Sequence, residues 1–462
     1  MPPQIIWFRN DLRLTDHVAV RAAAAAGPVI AVYVLDDATP ATWRVGAAQR
    51  WWLHHSLVAL GRDLAAMGGK LILRRGLPGD ILPEIARTSG ASAVHTLRHY
   101  EPWAKVQELS VAAKLDLQLH DGVTLARPGE VKSGGGGRYR IFTPFWNALL
   151  KTMLPPRPEP ASVMRFAPTP PSDDLAAWDL LPTHPDWSDG FDVWTPGEAG
   201  AHAALDAFAV NIQAYDHGRN LPAEALTSRL SPHLHHGEIS PQQVWAALHG
   251  AAGDAALPFL REIGWRDFAT ETLDQFIDFA EQPNRPAFAH FPFRDDAAGL
   301  DAWRYGRTGY PIVDAGMRQM YATGWMHNRV RMIAASFLTK HLLIDWRHGE
   351  RWFWDCLVDA DLGNNALGWQ WIMGSGVDSS PFNRIFTPVG QSEKFDTAGR
   401  YIRQWVPELA KLPDGAIHAP WTATPMTLAA AGVTLGETYP QPIVDHAASR
   451  ARALAAFDTI RA

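Results

Sequence analysis

The order of apolar and polar positions changes character once along this chain. Over the first ~125 residues, short apolar runs alternate with stretches of helical period. "QIIWFRNDLRL" from Gln4, "VIAVYVLDD" from Val29, "KLILRRG" from Lys70, "AVHTLRHY" from Ala93 and "LDLQLHDGVTL" from Leu115 predict five strands. Between the second and third, Leu53, Leu57, Leu60 and Leu64 recur at helical spacing, and Gly68-Gly69 supplies a stop. Strands that alternate with helices predict an α/β domain over residues 1–128, a parallel five-stranded sheet with helices on both faces. A ligand is then expected near the carboxyl ends of the strands. Residues 129–199 are rich in Pro and Gly ("LPPRPEPASV", "APTPPSDD") and read as an interdomain connector running over the surface. From 200 to 462 helical periods dominate, which predicts an all-helical domain.

Composition narrows the function classes. A chain of 462 residues is too long for one ordinary core, so two or three domains are expected. With 47% hydrophobic and 19% charged residues it is an ordinary globular sequence. The net charge of −6 argues against a generally basic nucleic-acid binder and leaves room for a local basic groove. The lone Cys356 excludes an intramolecular disulfide framework, a Cys-rich zinc site and a cysteine-ligated iron–sulfur cluster. "MPPQIIWFRND" has neither the basic nor the apolar stretch of a secretory signal, and no uncharged apolar run reaches the ~18 residues of a membrane span. A cytoplasmic monomer is expected. No G-x-G-x-x-G follows the first strand and no P-loop occurs, which demotes dehydrogenase and ATP-using readings. "SGGGG" at 133–137 reads as a flexible surface loop more readily than a phosphate cradle.

The chemistry gathers in the second half. Thr227-Ser228-Arg229-Leu230-Ser231-Pro232 offers hydroxyls, amides and a guanidinium, and Ser231 before Pro232 suits a helix N-cap, where phosphate binds well. A plain capped turn uses the same residues. His233, His235 and His236 lack a carboxylate partner at a convincing spacing, so no metal is assigned. In "FLREIGWRDFATETL", Glu262, Trp265 and Arg266 stand at i, i+3 and i+4, on one face. "GWMHNRVRMIAASFL" repeats the idea with Trp325, Asn328, Arg329 and Met332. An amphipathic core helix with a snorkelling Arg is the plainer use. In "DADLGNNALGWQW", two acids and two amides precede two indoles two residues apart. On a helix these rings differ by ~200° and point to opposite sides.

"WFRNDLRLTDH", "TSRLSPHL", "REIGWRDF", "TGYPIVDAGMRQM", "GWMHNRVRM" and "NNALGWQW" run in order over nearly the whole chain. Together they resemble the photolyase/cryptochrome family, and within it the bacterial class I branch that repairs cyclobutane pyrimidine dimers. The resemblance implies FAD in the helical domain, active when reduced. Tyr215 and Thr227, Ser228, Arg229, Leu230 and Ser231 would bind its phosphates and ribityl region. Glu262, Arg266, Trp325, Asn328, Arg331, Asp359 and Asp361 would line the cofactor, Arg331 and Asp359 as an ion pair. Asn365 matches the amide that faces the flavin N5 position.

The resemblance also implies DNA carrying a pyrimidine dimer as partner, with the lesion flipped out of the duplex. Trp265 and Trp371 would pack on its bases, Glu262 would hydrogen-bond one of them as a neutral acid, and Asn328 and Met332 would fill the cavity. Arg219, Arg329, Arg384 and Lys394 are candidates for phosphates. The (6-4) branch carries histidines where Asn328 and Met332 stand, which points to the cyclobutane dimer. Cryptochromes commonly carry a C-terminal extension, so the alternative, a blue-light photoreceptor, is expected less.

Two departures stand out. Trp369 and Trp346 match the first two members of the tryptophan relay that reduces the flavin in light, but Phe293 falls where the third is expected, and Trp352 or Trp354 would have to replace it. In "HYEPWAKVQE", Trp103-Ala104 stands where the folate-binding branch has Asn-Glu. The antenna chromophore, 8-hydroxydeazaflavin or methenyltetrahydrofolate, stays open.

Overall fold

A computed structural model describes residues 1–461 of the chain. The five expected strands are all present: β1 Gln4–Phe8, β2 Val29–Leu35, β3 Leu71–Arg75, β4 Ala93–Leu97 and β5 Leu117–His120. They form one parallel sheet in the order β3-β2-β1-β4-β5. Every residue of β1, β2 and β4 is buried, as continuous Val/Ile/Leu runs require when helices cover both faces. The helix read from Leu53 to Leu64 spans Ala47–Ala66, and Gly68, at φ 86°, lets the chain turn away behind it.

The connector does more than cross the surface. It contains a helix, Phe142–Thr152, and Phe166 pairs with the start of β2. Trp178, Phe191 and Trp194 are buried within it. Large aromatic side chains bring enough apolar area to hold a Pro-rich segment down without regular structure.

Two buried carboxylates tie the halves together. Glu238 is fully buried and accepts from the Trp52 indole at 3.0 Å, the Gly197 amide at 2.7 Å, the Ser56 hydroxyl and His233. A carboxylate without water is tolerable only with such a complete set of donors. Asp267, on helix Leu257–Gln275, accepts from the amides of Leu125 and Ala126, at 2.8 and 3.2 Å, where the α/β domain ends. Its second oxygen has no partner, and burial pushes its pKa up to about 7, against the pull of Arg266. The folded state therefore keeps a proton that the unfolded chain releases between pH 3.8 and about 7, and stability from this group falls as pH rises through that window. Asp267→Asn, which mimics the neutral acid, should flatten that slope in denaturant titrations and stabilise the protein at about pH 8 by on the order of 1–3 kcal/mol. An unchanged slope would mean that Asp267 does not hold the proton.

Candidate functional site: a cavity in the helical domain

Three helices wall a cavity of about 470 Å³. Helix Leu257–Gln275 contributes Glu262 and Trp265. Helix Asn328–Ser336 contributes Asn328, Arg329, Arg331 and Met332, and helix Leu362–Met373 contributes Asn364, Asn365, Trp369 and Trp371. Asp359, Asp361, Arg219 and Asn220 complete the polar lining. Gly368 also faces it, and a Cβ there would meet nothing within 4 Å.

Most of the polar groups are held by protein partners before any ligand arrives. Arg331 grips both oxygens of Asp359 at 3.0 and 2.9 Å, and Ser231 donates its hydroxyl to the same carboxylate at 2.6 Å. Asp361 is the N-cap of its helix, accepting from the Asn364 amide at 2.8 Å. Burial raises the Asp361 pKa, but His235 and the Arg266 charge outweigh it and leave the carboxyl well below its ordinary value. Asn365 donates its NH2 to the Glu350 carbonyl at 2.9 Å, so the residue presents an amide oxygen to the cavity. Burial raises the Glu262 pKa, opposed by Arg219, whose guanidinium lies 2.7 Å away.

The indoles divide the wall. Trp369 is buried, in contact with Phe353 at 5.0 Å and Trp303 at 6.1 Å between ring centres. Gly349 makes room for it, since a Cβ there would lie 2.1 Å from the ring. Trp371, half-buried, borders the same cavity, so the two rings serve one space from different sides rather than two separate spaces.

Several expected residues lie elsewhere. Arg266 turns away from Glu262 and Trp265, giving its guanidinium to the carbonyls of Val123 and Leu234, at 2.6 and 3.2 Å. Trp325 precedes its helix, which His327 caps, and packs near Trp194. Ser231 is not the N-cap but the first residue of the short helix Ser231–His235, its hydroxyl committed to Asp359. Arg229, at φ 53°, stands between the Trp194 and Trp325 rings. Tyr215, Thr227, Ser228 and Leu230 do not line the cavity, nor does Trp346; Arg384 and Lys394 are exposed outside it. Arg329 is held by Asn220, at 2.6 Å. His233, His235 and His236 are each spent on a protein partner: Glu238, Gln49 and the Val358 carbonyl. Sequence reasoning missed Asn220, Asn364 and Phe353; only Asn364, inside the paired-amide motif, carried a readable signal.

The fold and the cavity define a two-domain protein whose helical domain encloses one ligand-sized space lined by both fixed polar groups and indoles. Residues 4–161 match the family model for DNA photolyase, and residues 259–459 match the FAD binding domain of DNA photolyase. A deoxyribodipyrimidine photo-lyase of Agrobacterium fabrum is 47% identical over 99% of this chain and 98% of its own length. Cryptochrome-1 of Arabidopsis thaliana is 36% identical over 97% of this chain and 69% of its own. A crystal structure described as a bacterial class III photolyase from Agrobacterium tumefaciens superposes with a TM-score of 0.96 at 47% identity, covering 100% of this chain and 98% of that one. The chain belongs to the photolyase/cryptochrome family. The branch of that full-length structural relative is class III, not the class I for which the motifs were read.

Proposed function

We propose that this chain is a deoxyribodipyrimidine photo-lyase of the class III type, which uses light to split cyclobutane pyrimidine dimers in DNA. The observation that carries the reading is the convergence of Glu262, Trp265, Asn328, Met332 and Trp371 on the cavity that Asn365 and the Arg331–Asp359 pair also line. Its volume lies within the ~300–1,000 Å³ of small-molecule sites. The unpartnered Asn365 oxygen and the open wall at Gly368 suit a flat heterocycle with polar edges. Reduced FAD, when bound, supplies the photoexcited electron that opens the dimer ring.

The chain's own residues prepare that step. Asn365 offers an acceptor, which favours a protonated nitrogen at the cofactor edge. Arg331 and Asp359 hold each other rigid, so neither pays to reorganise when ligand binds. Trp265 and Trp371 give aromatic faces to two extruded bases. Glu262 and Arg219 reach their two expected roles together: when the guanidinium leaves for a DNA phosphate, desolvation is opposed only by the weaker pull of Arg261, and the neutral form that can donate to a base carbonyl is favoured. Asn328 and Met332 bring no imidazole, in keeping with a dimer whose splitting needs no proton transfer. Arg384 and Lys394 lie exposed for further phosphates. A DNA substrate supports a cytoplasmic location, and in this reading the protein acts as a monomer. The division into 1–128, 129–199 and 200–462 belongs to this reading and is supported by β5 ending at His120 and the helices that follow.

The antenna is a different matter. The cleft at the carboxyl ends of β1, β2 and β4, lined by Asp36, His99, Glu101, Trp103 and Gln107, encloses about 90 Å³. Neither a deazaflavin nor a folate is favoured by that lining. In the dark, the flavin-loaded protein should bind an oligonucleotide with one thymine dimer far more tightly than the same strand carrying a (6-4) product. Equal affinity for the two would contradict the assignment.

A further inference from the structure

We propose that Phe142, supplied by the connector, positions Trp265 as a ready-made stacking surface for the lesion. The proposal rests on the reading of Trp265 as a base-stacking residue and names what makes it one. The two rings are stacked at 3.7 Å between centres and 11° between planes. Phe268 closes on both by its edge, at 5.8 Å from each. Behind Phe142 the column continues: Trp146 lies 6.2 Å away at 19°, and Trp245 lies 5.9 Å from Trp146. Gly264, next to Trp265, admits this column, since a Cβ there would sit 2.4 Å from the Trp146 ring.

Phe142 is fully buried, and the Trp265 face against it is taken. What Trp265 leaves for a ligand in the cavity is its opposite face and its edge. An indole free to rotate loses conformational freedom on being immobilised by a base; one already clamped does not. The clamp is anchored at its far end too. The Phe142 amide donates to Asp378 at 2.9 Å, in the segment that follows the Trp371 helix, where the Ser380 amide donates to the Trp371 carbonyl at 3.2 Å. One short stretch therefore fixes both the ring behind Trp265 and the end of the helix that bears Trp371.

A double-mutant cycle separates positioning from plain core packing. Dark binding of the flavin-loaded protein to a thymine-dimer oligonucleotide, and to its undamaged counterpart, is measured for wild type, F142L, W265A and the double variant. W265A should weaken dimer binding about 10- to 100-fold. F142L alone should cost about fivefold, and less than about twofold when W265A is already present. Undamaged-DNA affinity and flavin absorbance should stay unchanged, and F142Y should restore dimer binding. If W265A weakens binding but F142L costs the same factor in both backgrounds, the positioning role is wrong. If W265A itself has no effect, the stacking role of Trp265 fails and this proposal with it. Should F142L lose flavin, D378A replaces it in the cycle, withdrawing the acceptor while leaving every ring in place. Its expected cost is about threefold, absent in the W265A background.

Discussion

Asp359→Ala should yield a folded protein that purifies without flavin colour. Asp359 is nearly buried, takes two hydrogen bonds from Arg331 and accepts one from Ser231. Removing the carboxylate strands a guanidinium against the cavity wall, an error that costs about 3–5 kcal/mol in buried pairs. Since Arg331 and Asp359 both line the cavity, that cost falls on the binding-competent arrangement and lowers flavin affinity by about 100- to 4,000-fold. Asp359→Asn keeps the shape and one acceptor, so its loss should be smaller. Flavin absorbance per protein, beside a thermal melt showing that the fold survives, checks both. A D359A protein that stays fully loaded would remove the ion pair from the cofactor site.

Trp369→Phe should separate two activities that are expected together in the wild type. Light-driven reduction of the bound flavin should be lost, while dimer repair by chemically reduced protein should continue. The reason is position: Trp369 lines the cavity and is the buried indole from which a relay can lead away. Where it leads is the further question. Phe293 contacts Phe291, at 4.9 Å, and no indole stands in its place. Trp354 faces Trp43 and Trp103 on the side of the α/β domain. Trp303, by contrast, touches Trp369 directly, and Arg304, its chain neighbour, covers the Trp352 ring at 5.1 Å. Tyr305, exposed, then lies 5.9 Å from Trp352. A route that leaves Trp369 through Trp303 and surfaces at Trp352 is tested by substitution: Trp303→Phe and Trp352→Phe should then slow photoreduction more than Trp354→Phe. Equal rates in all three would return the relay to Trp346.

What could be read in advance followed the range of the forces involved. The strands were legible because each is a continuous apolar run bounded by turn residues, a property of neighbours in sequence. Glu262 with Trp265, and Asn328 with Met332, were legible because i, i+3 and i+4 fix a shared face. Arg266 shared that face on paper and left it in space, because the Val123 and Leu234 carbonyls on other segments claimed its guanidinium. Ser231 looked like a cap, but Asp359, 128 residues away, claimed its hydroxyl. Phe142 behind Trp265 and Trp303 beside Trp369 had no signal at all, since neither contact depends on local spacing. The class I reading rested on motifs that lie largely around the cavity, while the full-length structural relative with a TM-score of 0.96 is described as class III.

In the proposed function, this cavity turns light into bond cleavage. Flavin-loaded protein, kept fully reduced without oxygen, is mixed with an oligonucleotide carrying one thymine dimer and given a single blue-light exposure, with a dark control. Restored thymines in the illuminated sample and an intact dimer in the dark are the expected result. A dimer that is bound and still intact after illumination would make the protein a receptor of light rather than a lyase.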